Sequence, residues 1–331
     1  VLQGYTLTIS QQTINSGTIL LDDAAAQFNL SGTVTASGVI DADMGALNLS
    51  GATLTGDGVG ASITADHAAS LGTSSLYASN GGTLSLLGAT SFTSGGAGNT
   101  IQATGAGSRI DLSGLTSLAG GSSGNTQIKA LSGGELLLSG AVTGRTIWTL
   151  DGTGGVMDVS GVTSLVDATV NVSGGASLDF STLITLARVN LYASGGGDIL
   201  FPVATSYSAS GDGGSHSIQA NGAGSRIDLS HLTTLTGGTY YNLAISAATG
   251  GEIDLAGAVT AKTSLSLFDA SSILDVSGVS SLQDTNVTTS GGVLNFAVLT
   301  TLRKANLTAN GGGTIQPKNR SYPEDRGVEA G

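Results

Sequence analysis

Six aspartates stand at the centre of short apolar triplets, and their recurrence is the first chemical signal in this chain. They are Asp111, Asp158, Asp179, Asp228, Asp254 and Asp275, with Asn295 in the same place once more. In Ile227-Asp228-Leu229 the period of two of an extended strand sets Ile and Leu on one face and Asp on the other. Where triplets occupy consecutive strands, as for Asp228, Asp254 and Asp275, neighbouring carboxylates would lie about 5 Å apart. Like charges that close repel. A bound calcium ion or a raised pKa would relieve them, and so would splaying into solvent as a screened acidic stripe. Arg109 and Arg226 precede their Asp by two residues and share its face, so a local ion pair worth at most about 1 kcal/mol is expected at each. The same spacing is that of the two carboxyls of a retaining glycosidase. That chemistry needs two pKa values pushed apart, and a regular ladder is expected to give each Asp nearly the same surroundings. No residue is assigned a catalytic role.

The remaining reactive types are sparse. Trp148 is the single Trp, and Tyr240 and Tyr241, in Gly237-Gly-Thr-Tyr-Tyr-Asn242, are the best candidates for exposed aromatic contacts with a ligand. A Tyr in a turn between strands more often packs over a corner, and that is the expected placement of both. His67, His216 and His231 have no partner at i+2 or i+4, so no metal or triad pattern forms around them. The Gly-rich phrases lack the strand–Gly-x-Gly-x-x-Gly–helix setting of a phosphate loop. Thr6-Leu-Thr8, Thr33-Val-Thr35 and Thr53-Leu-Thr55 have the local pattern of an ice-binding face, but their spacing is uneven and the regular part of the chain does not continue it.

The elements that would hold these residues are repeats. Gly105 to Ser113 returns unchanged as Gly222 to Ser230, an offset of 117 residues from Arg109 to Arg226. Gly133-Gly-Glu135 likewise returns as Gly250-Gly-Glu252, and Asp158-Val-Ser-Gly161 as Asp275-Val-Ser-Gly278. Inside this duplication runs a shorter unit: a Gly-rich turn, an apolar triplet, Ser-Gly, and a second apolar stretch. The triplets recur every 20 to 28 residues from Leu84-Ser-Leu86 to Leu294-Asn-Phe296. With no helical periodicity in the gaps, the spacing predicts coils of a β-solenoid. Gly-Gly pairs would supply the positive φ that tight corners need. The expected fold is all-β, a right-handed parallel β-helix of about 14 or 15 coils. Residues 1–75 are expected to hold irregular N-terminal coils, 76–316 the regular ones, and 317–331 a polar linker or tail carrying two of the three Pro.

The coil pattern Gly-Gly-x-Ile-Asp-Leu-Ser-Gly-x-x-Ser-Leu resembles that of large bacterial surface and secreted β-strand-repeat proteins, of the filamentous-adhesin and autotransporter-passenger types. The resemblance implies a β-helix displayed outside the cell as a stalk, adhesin or matrix element, and it supplies no catalytic residues. Composition agrees with such a class. With 53 Gly, no Gly-X-Y period and 40% hydrophobic residues, the chain reads neither as collagen nor as disordered. The net charge of −12 argues against nucleic acid and anionic membrane as partners. Cys is absent, which excludes disulfides and thiolate metal sites. No apolar run reaches the length of a membrane span, and the opening Val1-Leu-Gln-Gly reads as a mature or excised piece. The expected function is a structural or adhesive segment, extracellular or on a bacterial surface. It would contact host or environmental glycans or proteins, or itself, and need no cofactor unless the Asp column takes calcium. A polysaccharide-active enzyme or carbohydrate-binding module is the second reading, and an end-to-end fibre subunit the third.

Overall fold

Alternation of small polar and branched apolar residues decides the local structure, because every second side chain of a strand can then face a common interior. A computed structural model describes residues 1–152, 154–211 and 213–317. These residues are all-β without helix, and their parallel strands stack as a β-solenoid of about 14 turns. The chain divides into two units, Val1–Thr169 and Val170–Gly331. The tail expected at 317–331 lies outside the described residues except for Pro317, which ends the strand Thr314–Pro317.

The turns in the second unit share a plan, although the corner after Thr263–Leu267 has Asp269-Ala-Ser-Ser272 in place of glycines. A first strand such as Leu243–Ala248 leads through a Gly-Gly corner into Glu252–Thr260, whose two halves take part in separate ladders. Three inward columns result. Leu191, Ile218, Ile245, Leu265 and Val287 stack in register. Leu178, Ile199, Ile227, Ile253 and Leu274 form the second column. Leu186, Tyr207, Leu235, Val259 and Leu282 form the third. All fifteen are buried, and each contributes about 1.5–3 kcal/mol by leaving water. Phe180 and Phe201 stack with centroids 5.1 Å apart, and the Tyr207 hydroxyl donates to the Val189 carbonyl at 2.6 Å, so its polar atom is satisfied inside the core.

The first unit follows the same scheme. Leu54, Leu76, Ile101, Ile128 and Trp148 form one inward column, and Ile63, Leu84, Ile110, Leu136 and Met157 another. Trp148 is fully buried, with its ring N–H donating to Thr146 Oγ1 at 2.9 Å. Near the start an additional parallel ladder joins Thr6–Ile9, Gln27–Leu30, Ala46–Leu49 and Ala68–Ser70. Of the three Thr-x-Thr phrases, Thr33–Thr53 and Thr35–Thr55 stack in adjacent turns, whereas Thr6 and Thr8 belong to that other ladder. The next turn replaces the pair by Ser75 and Tyr77.

Candidate functional site

The aspartate column exists, and its central stretch is an ion-pair lattice. Asp228 lies opposite Asp254, and Asp254 opposite Asp275. Leu200 separates this run from Asp179. In the first unit, Leu137 separates Asp111 from Asp158. Arg226 extends over the run: its guanidinium contacts Asp228 at 2.9 Å and Asp254 more closely, and its Nε lies 3.4 Å from Glu252. The like-charge repulsion expected between neighbouring turns is thus relieved by an arginine at the Asp228–Asp254 step. Among the described residues no group of three or more His, Asp or Glu is arranged to hold a metal ion.

Two expectations about this column need correction. Asp111 is on the face opposite Ile110 and Leu112 as expected, but it is buried there and not solvated, because Arg109 covers it at 2.9 Å and the Ser113 hydroxyl and N–H donate to its Oδ1. Nor are the surroundings of the column carboxyls alike: Asp228 and Asp254 meet Arg226, whereas Asp275 accepts from the Ser277 N–H. Burial pushes Asp228 up, yet donation from Ser230 and the charge of Arg226 outweigh it and leave the group below the usual carboxylate range. Asp198, outside the column and in register with Arg226, moves the opposite way. Burial, together with the like charges of Asp228, Asp179 and Asp254, raises it despite Arg226. Sequence reasoning missed Asp198 and Glu252; the signal was their register with Arg226, two residues before the triplet centre in the adjoining turns.

The second assembly lies at a corner of the second unit. Thr234–Thr236 ends there, and Gly237 to Asn242 loops out before Leu243–Ala248. The loop is tight: a side chain on Gly238 would collide with the carbonyl oxygen of Tyr241. Lys262, in the following turn, holds it on both sides. Gly238 and Lys262 form an antiparallel bridge, and Lys262 Nζ donates to the Tyr240 carbonyl at 3.0 Å. With the loop's backbone so engaged, the two tyrosine side chains project. Tyr240 is 71% and Tyr241 58% exposed, so the pair does not pack over the corner as a turn tyrosine is expected to. Beside the loop is a pocket of about 500 Å³ lined by Ser210, Thr236, Thr239, Ala261, Lys262 and Asp284.

The chain matches no family model, no curated protein and no solved structure.

The duplication supplies an internal comparison in place of a relative. In the first unit Gly121 bridges Arg145, and Arg145 Nη1 donates to the Ser123 carbonyl at 3.3 Å, as Lys262 does to Tyr240. Gly121 meets the same restriction as Gly238, set by the Gly124 carbonyl. The scaffold is common to both loops and only the tip differs: Ser122-Ser123-Gly124 in one, Thr239-Tyr240-Tyr241 in the other. Of the histidines, His67 and His231 are exposed and His216 is buried. None of the three lines the pocket, and neither Asp198 nor Asp228 does. No helix among the described residues is long and apolar enough to cross a membrane.

Proposed function

We propose that this chain is a structural and adhesive segment of a bacterial surface or secreted protein: a stack of turns that presents a contact loop. The observation that carries the reading is the pair of equivalent loops. Each is closed by a glycine and held by a cation from the next turn, and one of them bears two tyrosines in solvent. Large aromatic side chains this exposed gain nothing for folding, whereas tyrosine on a rigid loop gives contact area at low entropic cost. The sequence resemblance to surface β-strand-repeat proteins agrees with such a role.

The test is retention of the purified chain on a panel of immobilised glycans and extracellular proteins, compared with Tyr240→Ser/Tyr241→Ser. Both positions are exposed, so the double variant is expected to melt within a few degrees of wild type while losing retention. Retention unaffected by the substitutions, or none for the wild type on any surface, would sink the reading.

A further inference from the structure

The described cations of the second unit are unevenly placed. They are Arg188, Arg226, Lys262, Arg303 and Lys304, and all but Arg226 fall on the corner that carries the tyrosine loop. The corner can be followed turn by turn. Ala187 pairs with Ser208, Ser208 with Thr236, and Thr236 with Thr260. Leu282 is in register with Val259, and Gln283 with Arg303. Arg188, Ala209, Gly237, Ala261, Asp284 and Lys304 therefore succeed one another along the edge, about 5 Å per turn. One described carboxylate belongs to this edge, Asp284, with Lys304 Nζ 3.9 Å away. The other acids described in this unit lie on the preceding strands and turns, chiefly along the aspartate column. A chain of net charge −12 thus carries, among its described residues, a basic seam.

The seam, the pocket and the aromatic loop coincide. Lys262 lines the pocket and uses one of its three N–H groups on the Tyr240 carbonyl. The guanidinium of Arg188 reaches the neighbourhood of Gly211, next to Ser210 of the pocket wall, and the Tyr240 ring reaches that of Gly213. Three hydroxyl side chains, Ser210, Thr236 and Thr239, add neutral donors and acceptors. Aromatic faces take the apolar C–H face of a sugar ring, hydroxyls take its hydroxyls, and cations take a carboxylate. The cations recur along an edge of regularly spaced turns, so a linear polymer with acidic repeats satisfies more of them than one small molecule does.

From this coincidence we propose that the corner from Arg188 to Lys304 binds an acidic polysaccharide, a uronate-bearing glycan, with Tyr240 and Tyr241 as its aromatic contacts. The proposal rests on the presentation reading above and names the ligand class of the same loop.

Its test is binding of the full chain to polygalacturonate, with dextran and polyglutamate as comparison polymers, at 20 and 300 mM NaCl. Polygalacturonate is expected to bind, to weaken about tenfold or more at the higher salt as screening predicts, and to be preferred over both others. Arg303→Gln and Lys304→Gln are exposed substitutions expected to weaken it roughly threefold or more each without moving the melting temperature. Tyr240→Ser/Tyr241→Ser is expected to abolish the preference over polyglutamate. Arg145→Gln, at the equivalent loop without aromatics, is expected to bind as wild type does. Equal binding of dextran would mean a neutral glycan and overturn the proposal, and equal binding of polyglutamate would mean charge alone and overturn it too. Wild-type affinity in the Arg303 and Lys304 variants would do the same. Tyrosine-dependent retention on the surface panel without polygalacturonate binding would overturn this ligand class and leave the presentation reading standing.

Discussion

At the scale of single residues, the molecule spends its few charges in lattices. Arg226 joins three carboxylates from two turns, while Arg109, its duplicate, joins Asp111 and Glu135 because Leu137 stands where the second copy has Asp254. Asp198 is the group this lattice serves least. Its folded-state pKa is raised, chiefly by burial, so its contribution to stability is present below the unfolded value near pH 4 and is lost as pH rises through the raised value. Asp198→Asn is therefore expected to melt slightly above wild type at pH 7, with the difference vanishing below about pH 4. A lower melting temperature at pH 7 would show that attraction to Arg226 outweighs burial. The Asp column and both Arg–Asp pairs were legible in the sequence, since residues two apart on a strand share a face. Asp198 and Glu252 were not, because their place depends on which turns stack, and the gaps between triplets vary in length. The asparagine pairs Asn48–Asn29 and Asn306–Asn286, bonded at 2.9 and 3.1 Å between stacked turns, escaped notice for the same reason.

At the scale of the turn, triplets, Gly-Gly corners and apolar columns could be read from the sequence, whereas the joints between strands could not. Glu135–Thr143 and Glu252–Thr260 run on as single long strands whose registers with the next turn shift at equivalent places. Ser139-Gly140 in the first and Ala256-Gly257 in the second lie inside these strands as a bulge, the former an instance of the Ser-Gly that punctuates the sequence. A second hidden feature is the left-handed corner. Ala261 has φ of 62°, Asp284 of 52° and Lys304 of 49°, values that cost a residue with a Cβ about 1 kcal/mol or more. The first copy already holds the unstrained solution: Gly144, 117 positions before Ala261, has φ of 77°. Ala261→Gly is expected to stabilise the protein by about 0.5–1 kcal/mol, read as a higher denaturation midpoint with an unchanged slope. A loss of stability would mean that unfolded-chain entropy outweighs the relief of strain.

At the scale of the whole molecule, the solenoid was legible because repetition survives even where spacing drifts. What the surface contacts was not, since a loop tip is constrained by neither alternation nor turn geometry: Ser122-Ser123 and Tyr240-Tyr241 occupy the same scaffold. The duplication also has a consequence for how the chain finds its fold. Gly105–Ser113 and Gly222–Ser230 are identical, so during assembly either segment could be recruited to the other's position, leaving more than a hundred residues spliced out of line. The neighbouring turns tell them apart: Asp111 sits between Ser85 and Leu137, and Asp228 between Leu200 and Asp254. Leu137→Asp would erase one side of that label. Its refolding is expected to show an added slow phase or a trapped fraction, visible after dilution from denaturant, while the folded protein melts close to wild type. Refolding as clean as the wild type's would place the label elsewhere in the turn. A gene that lengthens its product by copying whole turns must then keep each copy slightly wrong, and Leu137, where the other copy has Asp254, is such an error, retained as an address.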